Sequence, residues 1–211
     1  MNQKIVQDEA NVRRLIEALP DDAPGVAFDI GANFGIYTKI LATKFQDVYA
    51  FEPDPSNMFV LQENIKEPNV HFVRAALGRN PAGMVNLYRC WNPGGSTINE
   101  ECPRFAGWGH TWDNFISVPE TTLDTFTKSY IPWNNLKFIK CDVEGAETFL
   151  FEHGKDTLLN NRLTMVLEVH QTVNFARLYQ LFKEVGYQVY DIFHQPVSEL
   201  TYDAYYIVTN E

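Results

Sequence analysis

The 211-residue sequence contains only three cysteines, Cys90, Cys102 and Cys141. Their number is odd and no spacing matches a zinc site, which excludes a disulfide scaffold and a cysteine-based metal module. A reduced, cytoplasmic setting is the expectation, with a Cys90–Cys102 bridge as the minor alternative. Positive charge is also scarce: 17 Lys and Arg stand against 27 Asp and Glu, for a net charge of −10. Such a chain is unsuited to nonspecific contact with nucleic-acid phosphates or anionic membranes, so neither is expected as a partner. No apolar run is long enough to cross a bilayer, and the opening Met1-Asn2-Gln3-Lys4-Ile5-Val6-Gln7-Asp8-Glu9 is too polar for a signal peptide. Repeats, low-complexity tracts and linker-like stretches are missing too, so residues 1–211 read as a single domain. Hydrophobic residues make up 45%, enough for a full core.

Apolar periodicity supplies the elements. Val12, Leu15, Ile16 and Leu19 fall at i, i+3, i+4 and i+7, which predicts an amphipathic helix over about residues 3–19. Val26–Ile30, Asp47–Phe51, Val70–Val73, Leu136–Cys141 and Leu163–Leu167 read as strands, with Val85–Tyr88 as a short extra one. One helix is expected from near Asn33, and a second is capped by Asp54 with Pro55 at its first position. A capping box at Thr121-Thr122-Leu123-Asp124 opens a third, and a fourth runs to about Phe151. Phe175, Leu178, Tyr179, Phe182 and Val185 mark a fifth, which Gly186 stops. Tyr187–Phe193 and Ala204–Val208 have no helix between them and should pair antiparallel. Alternating strands and helices mean an α/β fold: a mostly parallel sheet with helices on both faces. About residues 90–118 break the pattern as an aromatic-rich insertion carrying Trp91, Phe105, Trp108, His110, Trp112 and Phe115. Long irregular connections are commonly functional, and these tryptophans suit either a lid over a substrate or a small satellite core.

The organising stretch is Val26-Ala27-Phe28-Asp29-Ile30-Gly31-Ala32-Asn33-Phe34-Gly35-Ile36-Tyr37-Thr38. A strand, a glycine turn and a helix in this order form the opening unit of a nucleotide-binding α/β domain. Side chains at Gly31 and Gly35 would keep a ligand from the backbone, and the helix N-terminus favours an anionic group. Asn33 takes the place of the middle glycine of a dinucleotide fingerprint, and no Gly-Lys-Ser/Thr follows as in a phosphate loop. A nucleoside bearing a carboxylate, such as S-adenosylmethionine, fits this turn better than a pyrophosphate. A tight turn without a ligand is the alternative.

Ligands in such sheets bind outside the carboxyl ends of the strands, which gathers Asp29, Glu52, Ala76, Asp142, Glu168 and His170 on one rim. Glu52, about twenty residues past the turn, suits a ribose diol. Asp29 is expected to bond the turn, and Ala76 to offer its backbone to an adenine edge. Asp142, Glu144 and Glu147 are three acids within six residues, with Glu147 in a first helical turn. Strand alternation puts Glu168 and His170 on the same side. His170, whose ordinary pKa lies near neutrality, is the candidate general base, with Asp142 orienting it or the acceptor. A divalent metal on Asp142, Glu168 and His170 ranks below direct acid–base use.

Taken together these segments resemble the FkbM-type S-adenosylmethionine-dependent methyltransferases. The resemblance rests on Asp29-Ile30-Gly31-Ala32-Asn33-Phe34-Gly35-Ile36-Tyr37-Thr38, on Phe51-Glu52-Pro53-Asp54-Pro55 with Leu61 and Asn64, and on Thr122-Leu123-Asp124. It continues through Ile139-Lys140-Cys141-Asp142-Val143-Glu144-Gly145-Ala146-Glu147 and Leu167-Glu168-Val169-His170, and so covers about residues 26–170. It implies a Rossmann-like class I methyltransferase fold, with a seven-stranded, mostly parallel sheet and an antiparallel last strand. It implies S-adenosylmethionine as donor and S-adenosylhomocysteine as product. Asp29, Gly31, Ala32, Asn33, Gly35, Thr38, Glu52, Pro53, Ala76 and Asp142 would bind the donor, with Gly31 to Gly35 on its methionine end. Asp142, Glu168 and His170 would act on a small-molecule or glycan acceptor. Family members methylate hydroxyls of macrolides and sugars, so O-methylation is the first expectation and N-methylation of an amide or peptide the second. The residues also leave open an NAD-dependent oxidoreductase, a metal-dependent hydrolase and a noncatalytic nucleoside-binding module.

Overall fold

The structure is a computed structural model that describes residues 3–21, 23–91, 93–101, 114–132, 134–170, 174–201 and 204–210. Cys102, Phe105, Trp108, His110 and Trp112 lie outside the described residues, and with them the expected lid and the Cys90–Cys102 bridge. In chain order the elements are α1 (Gln3–Glu17), β1 (Ala23–Ile30), α2 (Ile36–Leu41), β2 (Phe45–Phe51), α3 (Pro55–Asn64), β3 (Val70–Val73), β4 (Ala76–Leu77) and β5 (Gly83–Tyr88). A 3-10 turn at Pro93–Gly95 precedes β6 (Phe115–Thr121), α4 (Leu123–Tyr130), β7 (Leu136–Cys141), α5 (Glu147–Glu152) and α6 (Lys155–Asn160). The remaining elements are β8 (Thr164–Val169), α7 (Phe175–Glu184), β9 (Gln188–Asp191) and β10 (Ala204–Thr209). Among the described residues no helix is long and apolar enough to cross a membrane.

The main sheet has seven strands in the order β3-β2-β1-β7-β8-β10-β9. β1 pairs parallel with β2 and β7, and β10 runs antiparallel to both β8 and β9. The expected sheet, mostly parallel with an antiparallel last strand, is therefore present. From β1 the chain first builds outward through β2 and β3, then crosses to β7 and β8. Such a switch of direction opens a crevice at the carboxyl end of β1, where the next helices diverge.

Alternation along the buried strands sends side chains into two cores. On one face Phe28, Ile139 and Leu167 pack with Phe126 of α4, Leu150 of α5 and Leu181 of α7. On the other, Ala27, Phe138 and Val166 meet Ile16 of α1, Leu41 of α2 and Leu61 of α3. Phe28, Phe51 and Phe126 stand edge to face with centroids 4.8–5.8 Å apart, a geometry worth roughly 0.5–1.5 kcal/mol per pair beyond area burial.

Two local readings change. The insertion is not patternless up to residue 118: Phe115–Thr121 is β6, the middle strand of a small second sheet ordered β4-β6-β5. Its Pro119 and its mix of exposed and buried positions mask the strand in sequence. The cap of α4 is Thr122, whose side chain accepts from Thr125 N–H at 3.1 Å, whereas Thr121 ends β6 and donates to the Pro81 carbonyl at 3.0 Å. Asp124, read as the far end of a capping box, instead accepts from the N–H of Thr157 at 2.7 Å and so ties down the start of α6.

The glycine turn is also built differently. α2 begins at Ile36 rather than near Asn33, because Asn33 (φ 48°) and Gly35 (φ 92°) are left-handed and cannot continue a right-handed helix. A Cβ on Gly31 would sit 1.8 Å from the backbone carbonyl oxygen of Asp142, and one on Gly35 would sit 2.6 Å from Leu61 and 2.9 Å from Ile65. Both glycines thus admit close approach of the protein to itself. Gly35→Ala is expected to destabilise by roughly 2–4 kcal/mol, from a left-handed alanine plus crowding. Gly31→Ala should cost more, because its neighbour is backbone that cannot rotate away. Urea denaturation of both variants checks this ordering.

Candidate functional site

A cleft opens at the carboxyl ends of β1, β2 and β7, where such sheets bind their ligands. Of the residues expected to bind a donor, Gly31, Asn33, Glu52, Pro53, Ala76 and Asp142 line it. Asp29, Ala32, Gly35 and Thr38 stand behind the wall. Asp29 is buried and accepts from Thr38 Oγ1 at 2.6 Å, which locks the end of β1 to α2.

The turn spends its N–H groups inside the protein. Gly31 and Ala32 donate to the Phe51 carbonyl at 3.1 and 2.9 Å, and Gly35 donates to Ala32 at 2.8 Å. Asn33 N–H donates to Glu52 Oε2 at 2.9 Å, while Asp54 N–H donates to Glu52 Oε1 at 2.9 Å. Asn33 and Asp54 thereby fix the Glu52 carboxylate over the cleft. Burial raises the Glu52 pKa to about 7, against the lowering effect of those two N–H donors.

Across the cleft, β7 and β8 deliver the acids. His170 follows β8 and is buried, with Nδ1 2.8 Å from Oε1 of the fully buried Glu147 on α5. Its Nε2 faces Glu144 Oε2 at 3.3 Å, Glu168 Oε1 at 3.6 Å and Asp142 Oδ1 at 3.7 Å. The structure thus brings together all three residues assigned to chemistry from the sequence. Asp142, Glu168 and His170 place one ligand atom each within 4.8 Å of one another, a spacing a divalent ion also tolerates. Burial works against a charged ring at His170, but Glu144, Glu147 and Asp142 overcome it and hold its pKa well above the ordinary value. Burial pushes Glu144 up to about 8 and Glu168 to about 7.

Thr97, Ile98, Asn99 and Lys140 are given no role by the sequence, and Glu144 stands there only as one of three clustered acids. Glu144 lines the cleft beside Asp142 and adopts φ 54°, a conformation unusual outside glycine. Asn99 donates from Nδ2 to the Gly145 carbonyl at 2.7 Å and pins that strained turn. Thr97 and Ile98 roof the cleft from the segment after β5. Lys140, buried in β7, places Nζ 3.0 Å from Asp142 Oδ2. A lysine in the interior of a central strand is a signal the sequence does carry; the strained turn and its latch are visible only in three dimensions.

Fold and rim together define a Rossmann-like methyltransferase architecture, with the crevice where such enzymes hold their donor. The methyltransferase FkbM domain model matches residues 29–189, and the chain belongs to that family, whose members depend on S-adenosylmethionine. Among solved structures the chain is similar to methyltransferase FkbM from Methylobacillus flagellatus KT, at 14% identity and a TM-score of 0.55, over 98% of this chain and 60% of that one. It therefore spans 60% of that protein's length. It is also similar to precorrin-6y C5,15-methyltransferase from Geobacter metallireducens GS-15 (16% identity, TM-score 0.51), covering 99% of this chain and 92% of that one. SMU.1697c from Streptococcus mutans, solved in complex with SAH, shares 12% identity at a TM-score of 0.50 over 95% of each chain. At such identities the likeness is one of fold. No curated protein matches the chain in sequence.

The acid cluster makes a pH-dependent prediction. The folded-state pKa of His170 is raised, so its contribution to stability is complete below the ordinary value of 6.5 and is lost as pH rises through the folded value. His170→Ala leaves Glu147 a buried carboxylate without its cation, which should cost about 3–5 kcal/mol near pH 6 and clearly less near pH 9. Guanidinium denaturation at the two pH values measures the difference; a pH-independent penalty would contradict the charged ring.

Proposed function

We propose that the chain transfers the methyl group of S-adenosylmethionine to a hydroxyl oxygen of a small molecule or sugar. The observation that carries this reading is that one cleft is lined both by Gly31, Asn33 and Glu52 and by Asp142 and Glu144. The nucleoside end and the acid rim therefore share a cavity. In the bound state the donor supplies a sulfonium methyl already activated for in-line displacement, and alignment and proton removal are left to the protein.

Each residue then has a task. Glu52 accepts a backbone N–H on each oxygen and a hydrogen bond from the Asn57 side chain, and turns its remaining acceptor capacity to the ribose hydroxyls. Asp142 sits between the donor cleft and His170 and orients the groups that meet there. Proton removal goes to Glu144 rather than to His170: an imidazole held protonated by four surrounding acids has no lone pair to offer. Glu144 lines the cleft, and burial keeps its carboxyl close to neutrality in pKa, which suits a base working near pH 7. The acceptor's O–H proton passes to Glu144 as the new O–CH3 bond forms and the S–CH3 bond breaks, and the donor leaves as a neutral thioether. His170 and Glu168 hold the carboxylates in register behind it.

Isothermal titration with S-adenosylmethionine, S-adenosylhomocysteine and NADH tests the donor. Both sulfur nucleosides should bind and NADH should not; binding of NADH alone would replace this reading with an oxidoreductase. Because the Glu52 carboxyl must be ionised to accept both hydroxyls, affinity for S-adenosylhomocysteine should rise as pH increases through about 7, and Glu52→Gln should flatten that rise. With any hydroxyl acceptor that yields S-adenosylhomocysteine, Glu144→Gln should lower turnover roughly 10²–10⁴-fold and leave donor affinity within about threefold. Unchanged turnover would remove Glu144 from the chemistry.

A further inference from the structure

Lys140 lies in the middle of the sheet, 2% exposed, and the mechanism above gives it no task. Taking an ammonium out of water costs several kcal/mol unless partners surround it. Its partners come from each neighbouring element. In register, Lys140 pairs with Asp29 of β1 on one side and with Val166 of β8 on the other. Nζ lies 3.0 Å from Asp142 Oδ2 and 4.8 Å from the ring centroid of Tyr37 on α2. Asp29 and Glu168 act on the same charge electrostatically. One cation thus joins the acid that locks the glycine turn to two acids of the reaction rim.

The geometry at Asp142 shows what this contact does. Oδ2 is tied to Lys140, while Oδ1 is buried without a hydrogen-bond partner and lies 3.7 Å from His170 Nε2. A carboxylate anchored through one oxygen cannot spin about its terminal bond, so its second oxygen has a fixed direction. We propose that Lys140 is a positioning residue for methyl transfer: by holding Oδ2 of Asp142 it fixes that carboxylate at the edge of the donor cleft with Oδ1 turned toward His170. This rests on the methyltransferase reading of the cleft. It acts through Asp142 and touches no substrate. Burial alone would raise the Asp142 pKa, but Lys140 and then His170 outweigh it and hold it below the ordinary carboxylate value. The groups facing the pair are Asp29 from β1, Tyr37 from α2, Glu168 from β8, His170 beyond it, Glu144 and Glu147 from the turn and α5, and Tyr205 from β10 through Glu168.

The test compares wild type, Lys140→Met, Lys140→Arg and Asp142→Asn by S-adenosylhomocysteine titration between about pH 5 and pH 8, with thermal melts to verify folding. The difference between wild type and Asp142→Asn isolates the part of binding that depends on Asp142. In Lys140→Met affinity should drop about tenfold at the acid end, the change one pKa unit produces, and recover toward pH 8. Lys140→Arg should restore a wild-type profile. A wild-type profile in Lys140→Met, or equal loss in Met and Arg variants at every pH, would overturn the proposal and leave Lys140 a packing residue. If the two Lys140 variants do not fold, carbon-detected NMR titration of the wild-type carboxyl groups, assigned with Asp142→Asn, decides it. Asp142 titrating below the ordinary carboxylate range supports the proposal, and titration within that range refutes it. Wild-type protein that fails to bind S-adenosylhomocysteine defeats the methyltransferase reading instead, and the NMR result still stands for Lys140.

Discussion

The tips of β1 and β7 touch backbone to backbone, and the site depends on that contact. Asp142 N–H donates to the Ile30 carbonyl at 3.0 Å, and Gly31 leaves so little room that any side chain would strike the Asp142 carbonyl. The glycine turn and the acidic turn are therefore two halves of one construction, on adjacent parallel strands at the point where the sheet order reverses. Both halves line the same cleft, so a ligand held by the first lies beside the second. Gly35 performs the matching service behind the turn by letting α3 pack against it through Leu61 and Ile65.

The second half is a charge balance drawn from four elements. Asp142, Glu144, Glu147 and Glu168 surround His170, and Lys140 compensates from beneath. Buried ion pairs of this kind add little to stability as a whole, yet removing one member strands its partners in low dielectric. The cluster is thus rigid for electrostatic reasons. Its edge toward the cleft is formed by Asp142 and Glu144, the latter held in a left-handed turn that Asn99 latches from the segment after β5. That segment also roofs the donor cleft, so the start of the aromatic insertion couples the second sheet to the reaction rim.

Much of this is legible in the chain because the central parallel strands read as apolar runs, and β1, β2, β7 and β8 carry an acid at or next to their ends. The antiparallel pairing of β9 and β10 follows from the absence of a helix between them, whereas the order β3-β2-β1-β7-β8 is a property of the folded sheet. β6 escapes because it lies at a small sheet whose faces are half exposed, so its alternation is weak and Pro119 interrupts it. The glycine turn shows a different limit. Gly31 and Gly35 are correctly singled out as places with no room for a Cβ, but sequence cannot say whether ligand or protein fills the space, and here Asp142, Leu61 and Ile65 do. The same holds for His170. Its position at a strand tip is readable, whereas the number of acids converging on it from α5 and the neighbouring strand is a property of packing. That number decides whether the ring takes up a proton or keeps one.

A crystal structure of the protein with S-adenosylhomocysteine tests the central claim most directly. The account predicts both ribose hydroxyls on Glu52, the nucleoside under Thr97 and Ile98, and the sulfur facing Asp142 and Glu144 across the β1–β7 contact. A nucleoside seated elsewhere, or one bound in the cleft with its sulfur turned away from those two acids, would contradict it.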